Sequence, residues 1–132
     1  TTEFVAAAML DMDYHTQKDV KNIDVRKFEI KAMEKIGRIG EIIPRYRSTY
    51  FSHVFSGGYS AGYYAYMWAE VLDSDAFQPF LEKGLFDKET ADSFRENILS
   101  KGNSVDAMTL YKQYRGAEPD PIYLLRNRGF VQ

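Results

Sequence analysis

The sequence predicts an all-α chain, an irregular multi-helix domain interrupted by one extended loop rich in glycine and tyrosine. Three observations carry this expectation. Apolar residues recur at steps of three and four along most of the chain. Asp, Ser or Thr precedes these periodic stretches and Gly or Pro follows them, the punctuation of capped helices. Nowhere does a run of strong apolar–polar alternation mark a half-buried strand.

Taken in order, Thr2 is placed to cap a first helix running to about Thr16. Ala6 to Ala8 give it high intrinsic propensity, and Val5, Met9 and Met12 its expected apolar face. Gln17 to Asn22 is a polar loop. Asp24 is the expected N-cap of a second helix, whose Val25, Phe28, Ala32, Ile36 and Ile39 mark the buried side. Gly37 and Gly40 weaken its end, and Pro44 stops it and biases Ile43 toward extended backbone. From Arg45 to Phe55 the residues Tyr46, Thr49, Tyr50, Phe51, Val54 and Phe55 favour extended structure, so an irregular loop holding one short strand or hairpin is expected. A third helix is expected over about Ser60 to Leu72, with Tyr64, Met67, Trp68 and Val71 in the core. Asp73 or Ser74 would cap a short turn through Phe80, ended by Gly84; Asp75 reads as a further capping acid. Asp87 caps a helix to about Ser100, with Ala91, Phe94, Ile98 and Leu99 inward and Gly102 as terminator. Ser104 caps the next, with Ala107, Leu110, Tyr111 and Tyr114 inward and Gly116 at its end. Pro119 and Pro121 open a last short helix packed through Ile122, Leu124 and Leu125.

Composition narrows the function classes. With 132 residues the chain has the length of one domain, enough to bury roughly two-thirds of its unfolded surface. The net charge is −2, and Lys and Arg are dispersed among acids. That argues against an electrostatic nucleic-acid binder. The absence of cysteine excludes disulfides, thiolate catalysis and Cys-zinc sites. Phe4 to Leu10, the longest early apolar run, is too short for a membrane span. Thr1-Thr2-Glu3 lacks the basic start of a signal peptide. The chain begins without methionine and almost inside a helical pattern, as a segment of a longer polypeptide would.

Chemistry concentrates in Phe51 to Val71, FSHVFSGGYSAGYYAYMWAEV, which holds one histidine, three glycines and four tyrosines. Tyr59, Tyr63 and Tyr66 follow i, i+4, i+7 spacing and share one face of a helix that begins near Ser60. Gly57 and Gly58 allow a sharp bend, and His53 lies just upstream. Phenol hydroxyls beside one imidazole suit an elongated polar ligand. The same residue types have a bland alternative: a lone histidine in an aromatic loop, and aromatics at helical spacing, are more often structural. GGYSAG lacks the spacing of a dinucleotide fingerprint. Arg45 and Arg47 flank Tyr46 and are either solvated or paired with acids. No metal site is expected within the chain: His15 and His53 are the only histidines and lie far apart, and Asp11, Asp13 and His15 read as a polar helix face. No serine has a nearby base that would mark a nucleophile.

TTEFVAAAMLDMDYH, PRYRSTYFSHVFSGGYSAGYYAYMWAEVL, FRENILSKGNS, YKQYRGAEPD and LLRNRGF, in that order, resemble the C-terminal part of the thimet oligopeptidase, oligopeptidase A and peptidyl-dipeptidase Dcp family of zinc metallopeptidases, with the Dcp branch the nearest likeness. The likeness spans nearly the whole chain. It implies a zincin-like helical peptidase fold. The family's HExxH helix and downstream glutamate ligand are missing here and are expected upstream of Thr1, so zinc belongs to the parent protein and none is expected in this segment.

The resemblance further implies roles. His53 would hydrogen-bond substrate near the scissile bond, Tyr66 would donate to the oxyanion of the tetrahedral intermediate, and Tyr59 and Tyr63 would line the cleft. Gly57 and Gly58 would form a loop that closes over bound peptide. A peptidyl-dipeptidase must recognise a free C-terminal carboxylate, for which Arg45 or Arg47 is suited. The expectation is therefore a zinc peptidase that releases C-terminal dipeptides from oligopeptides, in a bacterial cytoplasm with the periplasm left open, and inactive as this segment alone. Its partners are oligopeptides, not nucleic acid or membrane, and bare apolar surface predicts self-association as a dimer. The competing class is a non-catalytic helical module that binds peptide in the tyrosine-rich groove or serves as a scaffold.

Overall fold

A computed structural model describes residues 1–132 and bears out the all-α class. In chain order it contains helices α1 (Thr2–His15), α2 (Val25–Lys35), α3 (Ser52–Phe55), α4 (Ala65–Ala76), α5 (Gln78–Lys83), α6 (Lys88–Phe94), α7 (Ala107–Arg115) and α8 (Ile122–Asn127). A 3-10 turn covers Ser48–Tyr50, and a π-helical stretch, Arg95–Leu99, extends α6. The chain forms two compact units, Thr1–Tyr66 and Met67–Gln132, the division falling inside α4. No helix is long and apolar enough to cross a membrane.

In the first unit, α1 lies between two apolar clusters, its Ala6, Ala7 and Ala8 leaving room on both sides. Ala6 and Leu10 pack against Ala32 and Met33 of α2, with Tyr14, Phe28 and Ile36 closing that cluster. Ala7 and Ala8 face a second cluster, with Phe51, Val54 and Tyr63, which Phe4 and Tyr46 extend. Alanine lets both sides approach the helix closely, and full burial of a side chain such as Leu10 stabilises by about 1.5–3 kcal/mol. The expected face of Val5, Met9 and Met12 is corrected: Met9 and Met12 are exposed. Asp24 caps α2 as expected, its side chain accepting from the Lys27 amide, but the helix ends at Lys35 and Ile39 is exposed. The 45–55 segment holds no strand or hairpin. It forms the 3-10 turn and α3 instead, because Phe51 and Val54 reach the core from a single helical turn.

That segment is anchored by a buried acid. The Glu29 carboxylate accepts from the Ser48 amide (2.8 Å) and hydroxyl (2.8 Å) and from Arg47 Nε. Tyr14 donates to the Ser48 hydroxyl at 2.8 Å. Burial alone would raise the Glu29 carboxyl, but the Ser48 bonds and Arg47 outweigh it and hold the group below its ordinary value.

In the second unit, α4 runs through the expected caps Asp73 and Ser74 to Ala76. Ser74 and Asp75 are buried rather than capping. Asp75 accepts from Tyr111 Oη and, at 3.2 Å, from Arg115 Nε on α7. Tyr114 on α7 donates to the Ala76 carbonyl at 2.7 Å, so helices α4 and α7 are joined by polar contacts as well as packing. Asp87 caps α6 through the Thr90 amide. The cap of α7 is Asp106, accepting from Thr109, rather than Ser104. Gly84 and Gly116 end α5 and α7 as expected. Leu110, Tyr111, Tyr114 and Leu124 are buried, while Ala107 and Leu125 are exposed. Val71 is buried, but Trp68 is exposed on the wall of an apolar cavity of about 760 Å³, alongside Leu72, Phe77, Phe80 and Phe94. Tyr64, also expected in the core, is exposed in the first unit.

Candidate functional site

The candidate site lies in the first unit and is built on a sequence of tight turns. Helix α3 carries His53 and is capped by Ser56, whose amide returns to the Ser52 carbonyl. The chain then doubles back so closely that a Cβ at Gly57 would lie 3.0 Å from both Cα and O of His53. Gly58 follows at φ +82°, in the left-handed region. These two requirements explain the glycine pair. The Tyr59 amide then donates to the His53 carbonyl at 3.0 Å, and the Ser60 hydroxyl to the Val54 carbonyl at 2.6 Å.

The next turn is held from a distance. Ala61 adopts φ +53°, unusual for a residue with a side chain. Its amide donates to Asp11 Oδ1 and the Tyr63 amide to Asp11 Oδ2, both at 2.9 Å. Asp11 is fully buried, so the polar helix face expected for it is corrected. His15 Nδ1 lies 2.8 Å from Asp11 Oδ1. Helix α4 begins only at Ala65, five residues later than expected, because the Asp11 bonds draw the chain into this turn.

The three tyrosines meet nonetheless. Tyr59 and Tyr66 stack with ring centroids 5.1 Å apart, and Tyr63 packs edge-on to Tyr66 at 5.2 Å. The His53 ring lies 5.8 Å from Tyr63, 6.2 Å from Tyr59 and 6.5 Å from Tyr66. Tyr59 and Tyr66 are 38% and 37% exposed, whereas Tyr63 is 2% exposed and belongs to the core. The half-buried His53 keeps Nδ1 sealed from solvent with no partner in the chain, a costly state for a polar nitrogen.

The electrostatics favour neutral phenols. Hydrogen bonding with the Tyr59 side chain, then burial and the neighbouring phenols, push Tyr66 up to about 12. Burial raises Tyr63, with Arg45 opposing it. Tyr66 is therefore a proton-bearing donor across the physiological range.

The two arginines separate. Arg45 is exposed, forms no ion pair, and rests its guanidinium 5.8 Å from the Phe4 ring centroid and 5.9 Å from that of Tyr46. Arg47 is committed to Glu29. No three His, Asp or Glu side chains gather in a way that could hold a metal ion. Two residues of the site are missed by sequence reasoning. Tyr46, read as a loop aromatic, is a hub that stacks on Phe51 and sits 4.8 Å from His53. Asp11 is the other; its one local signal is an acid set among Ala7, Ala8 and Leu10 with His15 four residues on.

One half-buried imidazole and two partly exposed phenols, presented by these turns, thus place hydrogen-bonding groups side by side. The model of peptidase family M3 matches residues 1–130. The chain belongs to peptidase family M3. It is 45% identical over 130 residues to the dipeptidyl carboxypeptidase of Escherichia coli (strain K12), covering 97% of this chain and 19% of that protein. Oligopeptidase A of the same organism is 53% identical over 79 residues, 60% of this chain and 12% of the relative. Saccharolysin of Saccharomyces cerevisiae is 31% identical over 124 residues, 92% of this chain and 17% of the relative. The M3 segment described here thus spans about a fifth or less of the length of these relatives.

Proposed function

We propose that residues 1–132 form the C-terminal substrate-binding portion of a zinc-dependent peptidyl-dipeptidase or oligopeptidase, a single helical part of its catalytic domain that lacks the HExxH helix. The observation that carries this reading is the meeting of His53 with Tyr59 and Tyr66 at an accessible surface. In this reading Tyr66 donates to the oxyanion that develops on the scissile carbonyl, a contact that typically contributes about 2.7–4 kcal/mol. A phenol keeps its proton throughout the physiological range, as such a donor must. His53, half-buried beside the two accessible phenols, hydrogen-bonds the peptide unit beside the cleaved bond. Tyr59 contacts substrate backbone, and Tyr63 backs both rings from the core. Gly57 and Gly58 set Tyr59 in place, and the loop closes over bound peptide as the family resemblance implies.

Arg45 fits the free C-terminal carboxylate better than Arg47, being exposed and without an acidic partner. The parent enzyme accordingly releases C-terminal dipeptides, consistent with the name of the 45% identical relative. Its zinc has ligands outside these residues, where none are gathered. The segment alone is inactive. It pairs through bare apolar side chains such as Phe86, which is 98% exposed. The parent works in a bacterial cytoplasm.

The test is calorimetric titration of the chain with unblocked pentaalanine and with its C-terminal amide. The free acid binds about tenfold or more tightly, equivalent to about 1.4 kcal/mol, and Arg45→Ala removes the difference. Equal binding of the two rejects the carboxylate contact; binding of neither rejects the site. Hydrolysis by the purified chain with added zinc rejects its predicted inactivity.

A further inference from the structure

We propose that Asp11 is a positioning residue of the tyrosine site: its buried carboxylate fixes the turn that sets Tyr59, Tyr63 and Tyr66 around His53. The inference rests on the peptide-binding reading above for its functional meaning, and on geometry for the rest.

Asp11 spends one oxygen on each of two main-chain amides 50 and 52 residues away, Ala61 and Tyr63, both at 2.9 Å. These residues belong to no helix, so their amides lack the regular carbonyl partners that a helix supplies. Between them, Gly62 donates to the Tyr59 carbonyl at 2.8 Å, closing the turn that carries the first tyrosine toward the second. Downstream, the Tyr66 amide points to the Tyr63 carbonyl at 3.4 Å. The carboxylate therefore grips the middle of the segment whose two ends present Tyr59 and Tyr66.

The grip is rigid on the other side as well. Asp11 lies in the interior of α1, whose Ala7, Ala8 and Leu10 are buried in the two clusters of the first unit. His15 Nδ1 is 2.8 Å from Oδ1 and 2.9 Å from the Asp11 carbonyl, orienting the acid from one turn along the same helix. Ala61 reports the force of the arrangement: an alanine at φ +53° is held there rather than choosing it. An amide in place of the carboxylate would keep the shape but offer one acceptor, turning its NH2 on the other N–H.

The experiment uses the 132-residue chain, Asp11→Asn, and Asp11→Asn combined with Ala61→Gly. In the unaltered chain the Ala61 and Tyr63 amides exchange with deuterium at least about 100-fold more slowly than unstructured amides. Exchange at the unstructured rate overturns the inference whatever the variants do. In Asp11→Asn the Tyr66 phenol, followed by the NMR shift of its Cζ, moves from about 12 back toward 10. The Kd for unblocked pentaalanine rises about tenfold. Adding Ala61→Gly, which accepts the left-handed backbone unaided, recovers a good part of both losses. A folded Asp11→Asn chain with unchanged Tyr66 titration overturns the inference, as does a double variant that regains thermal stability and neither readout. If Asp11→Asn alone does not fold, the amide exchange and the double variant decide. A chain that never binds pentaalanine removes the peptide-binding reading separately, and the exchange and Tyr66 titration still settle what Asp11 does.

Discussion

Asp11 and Asp75 are the two fully buried aspartates, at 0% and 1% exposure, one in each unit, and both sit on helices. They spend their oxygens differently. Asp11 holds two main-chain amides of a segment that has no regular structure. Asp75 holds two side chains, Tyr111 and Arg115, of a helix that is regular without it. A carboxylate that binds backbone sets the path of the chain. One that binds side chains joins elements whose paths are already set. The first kind of contact is expected to control the geometry of a site, the second the stability of a fold.

The largest effect that sharpens this contrast is Asp75→Ala. It leaves the half-buried Arg115 without its ion-pair partner and the Tyr111 hydroxyl without its carboxylate acceptor. A loss of about 3–5 kcal/mol in urea unfolding is expected. A loss below about 1 kcal/mol would break the comparison, since Asp75 would then do no more than a surface acid.

Tyr66→Phe tests the opposite side. In the full-length peptidase it lowers kcat by about 10²–10³-fold through the missing oxyanion donor. The thermal midpoint of the chain falls by only a few degrees, roughly what one hydrogen bond with Tyr59 is worth, because the ring is partly exposed and belongs to neither buried cluster. A collapse in stability with unchanged kcat would place Tyr66 among the structural residues.

Gly57→Ala is expected to cost about 1–3 kcal/mol by forcing a methyl against the His53 backbone. Gly58→Ala meets no atom within 4 Å and strains only its φ, for about 1–2 kcal/mol. Chemical denaturation of the two variants separates crowding from backbone strain. If Gly58→Ala costs more than Gly57→Ala, the close approach to His53 is not what requires the glycine.

The smallest expected effect is with alkali. Tyr66 has a folded value of about 12 against an ordinary 10.0, so between these values the folded chain holds more protons than the unfolded one. Its contribution is complete below pH 10 and is lost as pH rises toward 12. Burial acts in the same direction on Tyr63. Thermal midpoints that fall between pH 10 and 12, and less steeply in Tyr66→Phe, check the sign.

The helices were legible because their signals are local. Asp24 and Asp87 cap where a helix-starting acid should, and Gly84 and Gly116 stop the chain where a missing side chain allows it. The meeting of Tyr59, Tyr63 and Tyr66 was legible too, though through the wrong element: a helix from Ser60 was expected, and turns do the work until Ala65. What set those turns was not legible, since Asp11 acts across 50 residues and nothing near Ala61 announces it. The core assignment of Tyr64 and Trp68 followed helical periodicity, which marks a face as apolar without saying whether anything covers it.

The exposed Trp68 has a practical consequence. It is the chain's only tryptophan, and its indole lines the apolar cavity of the second unit. Fluorescence excited at the red edge of the indole band therefore reads that unit's solvent environment without labels. Quenching by acrylamide follows access to the cavity wall, and a blue shift on adding a hydrophobic compound signals entry there. The tyrosine surface stays dark at that wavelength, so one cuvette can separate events at the cavity from events at His53.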